Sequence, residues 1–340
     1  METKKEAYLY EKIEGDKVRC RNCAHYCLIE PGKRGICGVR ENFRGTLFAI
    51  NYGKAISVQI DPVEKKPLFH FLPGSKTLSF ATVGCNFACA NCQNWEISQY
   101  PKSHAEIPGD DLPPQALVDL ALERELPSIS YTYVEPTIFS EYALDTMKLA
   151  RAAGLKNIWV SNGFMSKESA EMVMPYLDAN NIDIKSFSDD FYRTNCGARL
   201  APVLETAKRM KDAKVWIEIT TLIIPGLNDS DDNLTNIANF IAKDLGNETP
   251  WHATQFSGAI SWKLKHISDT SSHTLRNAYN IGRAAGLQYV YSGNIPGMNT
   301  ENTYCPECKT PCIERTGFAP KRFDKNGYCP KCGRNLNIVG

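Results

Sequence analysis

Cys85, Cys89 and Cys92 stand at the spacing C-x3-C-x2-C in the stretch ATVGCNFACANCQNW. Three thiolates this close can hold three corners of a cubic [4Fe–4S] cluster, whereas most cluster sites use four cysteines. No fourth cysteine follows at short range, so one iron is left for an exchangeable ligand. An open iron serves chemistry, not structure. A partial zinc knuckle is the alternative. Zinc prefers paired C-x2-C knuckles, however, and the x3-then-x2 order between Gly84 and Asn94 does not match it.

The chain has 13 cysteines, an odd number held mostly in close groups. In a reducing compartment that pattern means metal sites and not disulfides. Cys20, Cys23, Cys27 and Cys37 form the first group, and the turn residues Pro31, Gly32 and Gly35 fold Cys37 back toward the others. Four thiolates make a closed site, which suits a structural zinc or a fully ligated auxiliary iron–sulfur cluster equally. His25 lies inside this group and could replace a thiolate; an uninvolved surface histidine is the plainer reading. Cys305-x2-Cys308 and Cys329-x2-Cys332 are two knuckles separated by 20 residues, a structural-zinc pattern with a rubredoxin-like single iron as the alternative. So small a segment has little apolar core, and a metal would hold it folded. Cys312 is a spare. Cys196 stands alone; it could donate a hydrogen atom or bind substrate, against the plainer reading of an ordinary free thiol.

The elements that must position these groups follow from periodicity. From residue 77 onward strand-like runs alternate with helical patterns: 77–83, 128–134, 157–163, 181–187, 216–224, 251–256 and 287–293. In 231–244, Leu234, Ile237, Ala238 and Ile241 follow helical spacing. Helices over 137–153 and 273–285 stop at Gly154 and Gly286. Six or seven β/α units imply a parallel sheet with right-handed connections. The fold expected is α/β, a partial (βα)6 TIM-type barrel with small Cys-rich extensions at both ends. A doubly wound open sheet is the alternative. The expected division is 1–45 (four-Cys segment), 46–298 (barrel core) and 299–340 (zinc-ribbon or rubredoxin-like segment). Residues 46–60 read as a hairpin turning at Gly53, and 61–75 as a loop in which His70 packs or hydrogen-bonds. Reactive groups of such barrels sit at the C-terminal strand ends. There lie the cysteine loop after the first strand, Glu135 after the second, Asn162 ending the third, Asp183 and Lys185 on the fourth, and His252 in the sixth.

Composition bounds the rest. At 340 residues the chain has room for one large domain or two, and its net charge of +1 gives no electrostatic reason to expect nucleic acid or an anionic membrane. Its first residues are charged without an apolar run, so no signal peptide is read, and no stretch approaches the ~20 apolar residues that span a bilayer. A cytoplasmic protein is expected.

Several phrases in matching order resemble the radical S-adenosylmethionine (SAM) superfamily. These are GICGVREN, DPVEKKPLFHF, GCNFACANCQNWEISQ, YTYVEPT, TTLIIPGLNDS, PWHATQF and GNIPGMNTENTYCPEC. Within it the chain is similar to relatives of the pyruvate formate-lyase activating enzyme, and to the subfamily called AmmeMemoRadiSam system radical SAM enzymes. The resemblance implies a [4Fe–4S] cluster on Cys85, Cys89 and Cys92 with SAM chelated at the open iron. It further implies reductive cleavage to a 5′-deoxyadenosyl radical, and hydrogen abstraction from a substrate such as a protein glycine. Radical modification or methylation of a small molecule or lipid is the second reading, and a non-catalytic metal-binding scaffold the third. Glu135 matches the carboxylate of the family's GGEP element, here Tyr133-Val134-Glu135-Pro136 without its glycines. Lys185 and Asp183 match a D-x-K element near the methionyl carboxylate, His252 a cofactor-contacting histidine, and Asn162 a cofactor loop. The position that commonly stacks on adenine is Asn91, so Trp95 or Phe87 would supply the apolar face. A ferredoxin or flavodoxin donor is implied, and Memo-like and Amme-like proteins as pathway partners.

Overall fold

The computed structural model describes residues 5–293 and 300–340. The boundary expected at 298/299, and the middle of the phrase GNIPGMNT, lie outside the described residues. The core is an eight-stranded sheet of β1 (Ser57–Pro62), β2 (Lys76–Ala81), β3 (Ser128–Tyr131), β4 (Lys156–Ser161), β5 (Ala179–Asp183), β6 (Trp216–Ile223), β7 (Trp251–Gln255) and β8 (Val290–Gly293). Neighbours in the sheet are neighbours in sequence throughout. Strands β2 to β8 are parallel, while β1 pairs antiparallel to β2 at the edge. The order has no reversal, which a doubly wound sheet requires; among the described residues β1 and β8 form the two edges of this sheet of a mixed α/β fold. The crossovers carry α1 (Trp95–Ser103), α2 (Pro114–Glu123), α3 (Ser140–Ala152), α4 (Lys167–Val173), α5 (Ala201–Asp212), α6 (Asp231–Phe240) and α7 (Ser272–Ala284).

The helices form where the sequence supplies both cap and stripe. Ser166, Ser230 and Ser271 each accept a backbone N–H three residues on, starting α4, α6 and α7. Leu234, Ile237, Ala238 and Ile241 are all buried, the stripe their spacing predicts. Gly154 and Gly286 take φ of 81° and 93° just past α3 and α7.

The two faces of the sheet differ. Phe80, Tyr131, Trp159, Ile182, Ile219 and Trp251 pack into the main core beneath the helices. The opposite face carries buried polar groups, among them Thr77, Ser79, Ser130, Asn181, Glu218 and His252. Alternation along each strand produces this division. The polar face is filled by the loop 63–75. Its Leu68 and Phe71 pack on Ile158 and Ala179, and the backbone N–H groups of Phe69 and His70 donate to the Glu218 carboxylate at 2.9 and 2.8 Å.

Both Cys-rich extensions are docked. The N-terminal one is tied down by Arg40, whose guanidinium meets Glu141 of α3 at 2.6 Å with both side chains buried. Asn22 adds bonds to the Thr137 carbonyl and from the Ser140 hydroxyl. The C-terminal one rests on the loop 63–75: Leu72 N–H donates to the Val339 carbonyl, and Val339 N–H to the His70 carbonyl. There His70 is buried, its Nδ1–H donating to the Leu336 carbonyl and its Nε2 accepting from the Tyr291 hydroxyl.

The hairpin expected around Gly53 does not form. Thr46–Ala49 pairs instead with Arg40–Phe43, across a two-residue turn at Arg44-Gly45. Both turn residues have positive φ, 51° and 79°, the conformation that matches strand twist in a tight hairpin. The strand 46–49 therefore belongs to the N-terminal unit, and β1 leaves it to join the core sheet.

Candidate active site

A cavity of about 620 Å3 opens at the C-terminal ends of the parallel strands. Its wall includes Cys85, Cys89 and Cys92 from the loop after β2, together with Glu135, Asn162, Asp183, Lys185 and His252. Five segments that are far apart in sequence thus bring their unusual residues to one space. Asn91 and Phe87 line it too. Trp95 does not; its ring stacks on Trp262 at 6.3 Å. Cys196 is also absent from the wall: it is fully buried beside Cys89, in a segment whose Asn195 and Cys196 carbonyls accept from Ala90 and Ala88 of the cysteine loop. That position buttresses the cysteine loop.

The cysteine loop is shaped by backbone and neighbours. Gly84 has φ of 106°, and a Cβ there would stand 2.9 Å from the Cys37 carbonyl oxygen, so only glycine fits. Phe87 N–H points at the Cys85 sulfur at 3.4 Å, and the Cys92 sulfur lies 3.5 Å from the Ser98 hydroxyl. Donors aimed at sulfur favour the thiolate form that iron requires.

Glu135 shows how the polar wall is set. Its Oε1 accepts from the Thr137 hydroxyl, the Thr137 N–H and the Ser161 hydroxyl, and its Oε2 from Asn162 N–H at 2.6 Å. It is thus the N-cap of the short turn Pro136–Phe139, and Oε2 keeps a lone pair for a donor in the cavity. Burial pushes its pKa up while these donors pull the other way. Asn162 donates to the Asn86 side chain in the cysteine loop at 2.8 Å, linking the β4 end to the cluster motif.

The missing glycines find a structural answer in Tyr133. This residue holds φ at 64°, the left-handed region a glycine would occupy freely. Its hydroxyl donates to Asp61, its ring lies 4.6 Å under the Lys66 ammonium, and its carbonyl accepts from Asn94 at 2.7 Å. Three anchors over-determine the conformation, as strain at a site requires. Lys66, bonded to Asp61 at 2.6 Å, has its pKa pushed down to about 8 by burial despite that partner.

Lys185 reaches back to Asp183 at 2.8 Å, so the D-x-K element is an ion pair on the cavity wall. Burial works against the lysine's charge, and the Asp183 carboxylate outweighs it, holding the pKa above the ordinary lysine value. His252 Nε2 meets Glu218 at 2.7 Å. Glu218 was missed in the sequence, although a lone carboxylate within WIEITTLII is a signal of its own. It accepts from Phe69 N–H, His70 N–H, the Trp216 indole and His252, which fixes loop and histidine together.

The C-terminal knuckles converge. The Sγ atoms of Cys305, Cys308, Cys329 and Cys332 all lie within 4.8 Å of one another, and Cys312 is not in the set. Tetrahedral zinc–thiolate bonds of ~2.3 Å put sulfurs roughly 3.8 Å apart, so one ion fits this quartet. Among the described residues no helix is long and apolar enough to cross a membrane.

Comparison with known proteins decides the family. The Radical SAM superfamily model matches residues 80–240, which hold the cysteine loop and the ends of β2 to β6. The chain belongs to the radical SAM superfamily. An uncharacterized protein of Methanocaldococcus jannaschii is 45% identical over 338 residues, 98% of this chain and 99% of that one. The pyruvate formate-lyase-activating enzyme of Clostridium pasteurianum is 25% identical over 50% of this chain and 70% of its own length. Pyruvate formate-lyase 1-activating enzyme of Escherichia coli K12 is 24% identical over 52% and 71%. This radical SAM chain is thus an enzyme, similar to the activating enzymes over about half of its length. The crystal structure of Streptococcus suis SuiB bound to S-adenosylmethionine shares the fold, with a TM-score of 0.51 and 11% identity over 72% of this chain and 56% of that one.

Proposed function

We propose that the chain cleaves SAM reductively at a [4Fe–4S] cluster held by Cys85, Cys89 and Cys92. The observation that carries this is the single cavity at the strand ends, walled by those three thiols and by five polar residues from β3 to β7 and the turns after them. The bound cluster supplies one electron to the sulfonium of SAM, giving methionine and a 5′-deoxyadenosyl radical that takes hydrogen from substrate. The chain binds and orients. Glu135 Oε2 offers an acceptor to the methionyl ammonium. Lys185, held by Asp183, offers its charge to the methionyl carboxylate. His252 and Asn162 hold the far wall, and Phe87 supplies an apolar surface for the adenine in place of the aromatic residue absent at Asn91.

Relatives named as activating enzymes support a glycine in a protein as the site of hydrogen abstraction, with a ferredoxin or flavodoxin as donor. The subfamily resemblance supports Memo-like and Amme-like proteins as pathway partners, and the converged C-terminal quartet supports a structural zinc. Anaerobic protein with dithionite and SAM is expected to release 5′-deoxyadenosine, and Cys85→Ala to release none. Equal release by the variant would refute the assignment. Deuterium transfer from a labelled candidate protein into 5′-deoxyadenosine would identify the substrate; transfer only from small metabolites would overturn the protein-glycine reading.

A further inference from the structure

Cys20, Cys23, Cys27 and Cys37 line one small cavity in the N-terminal unit. Yet among the described residues the C-terminal quartet alone brings its sulfurs within 4.8 Å of one another. A tetrahedral zinc needs that convergence, because all four thiolates bind the same ion. A cubic cluster does not, because each thiolate binds its own iron. Four thiols that line a common space without converging on one point therefore suit several irons better than a single ion.

A second observation points to an anionic occupant. Arg40 forms part of the same wall and is 2% exposed. Its two terminal nitrogens are taken by Glu141, the Ile138 carbonyl and the Ser140 hydroxyl, but its buried Nε–H has no partner. An orphaned guanidinium donor in a cavity of cysteines suits a sulfur acceptor of negative charge.

The cavity also abuts the radical site. The Cys37 carbonyl presses on Gly84, the residue before Cys85, and His25 Nε2–H donates to the Asn86 carbonyl at 2.8 Å. On the outer side Cys23 and Cys27 are partly exposed, beside Leu28 and Ile36, which are 50% and 51% exposed.

We propose that these four cysteines hold a second, fully ligated iron–sulfur cluster that passes electrons to the cluster on Cys85, Cys89 and Cys92. A low-potential one-electron donor of the ferredoxin or flavodoxin class reduces the outer cluster from 2+ to 1+. Transfer returns it to 2+ and reduces the inner cluster from 2+ to 1+. The relay rests on the radical-site reading above; the occupancy does not.

The test uses the full chain with Cys85, Cys89 and Cys92 all replaced by alanine and reconstituted anaerobically, so iron found there owes nothing to the radical site. About four irons and four sulfides per chain, with an electron paramagnetic resonance signal on reduction, is the expected result. Iron near zero with two zincs, or a single iron, overturns the proposal. For the relay, Cys23→Ser in the otherwise native chain should lose reduction of the inner cluster by flavodoxin while keeping reduction by dithionite. Unchanged reduction by flavodoxin overturns the relay and leaves the iron count to decide the site.

Discussion

The two four-cysteine groups look alike in sequence and differ in space. The C-terminal sulfurs gather to within 4.8 Å, while the N-terminal thiols ring a cavity that includes a buried, half-satisfied arginine. The first is built like a rivet, on the side of the loop 63–75 that packs under the cavity; the second is built like a socket, against the loop that carries the central motif. Sulfur geometry thus separates two cysteine groups that cysteine counting cannot.

The largest expected effect falls on the rivet. The structural zinc proposed for the C-terminal quartet would contribute roughly 10–16 kcal/mol of apparent binding free energy to the small segment it folds. Stripping it with a chelator, or Cys308→Ala, should unfold the segment 300–340, seen as protease cleavage there while the core sheet stays protected. Persistent protection after full zinc loss would show that docking alone holds it.

Next comes the tie between socket and core. Glu141→Ala leaves the Arg40 guanidinium buried without its partner and should cost about 3–5 kcal/mol in urea unfolding. A loss below about 1 kcal/mol would mean that water reaches the pair.

Acid should loosen the rivet's seat. Burial pushes the His70 pKa down to about 4, from an ordinary 6.5, so the folded state binds fewer protons than the unfolded one between those values. Its contribution, about 3 kcal/mol, is complete above pH 6.5 and is lost as pH falls toward 4. Glu218 beside it is held below the ordinary carboxylate range: burial opposes its charge, but His252 and the backbone donors prevail, which adds to the same trend at lower pH. His70→Gln should flatten stability between pH 6.5 and 5; an unchanged slope would place the titration elsewhere.

The smallest effect concerns Tyr133. Tyr133→Gly and Tyr133→Ala lose the same anchor to Asp61, but only alanine keeps the strain of positive φ. Glycine should be the more stable of the two by about 1 kcal/mol. Equal stability would mean that the backbone relaxes in both.

The sequence made the strand–helix alternation legible because β-branched runs and helical stripes report their own periods, and the seven expected parallel strands lie within a few residues of those observed. It made the candidate wall legible because charged residues at strand ends have few other uses. Gly53 closes no hairpin because two glycine-containing turns compete, and the tighter one at Arg44-Gly45 pairs Thr46–Ala49 with the strand just before it, Arg40–Phe43. Tyr133 stayed hidden because no residue type announces a left-handed backbone. Glu218 and the Arg40–Glu141 tie were illegible because their meaning lies in partners 34 to 149 and 101 residues away.

The most direct test of the whole account is electron paramagnetic resonance of the reduced native chain, recorded with and without SAM. Two reduced clusters are predicted, with SAM altering the signal of the one whose iron is open and leaving the fully ligated one unchanged. No change in either signal would contradict the radical site on Cys85, Cys89 and Cys92.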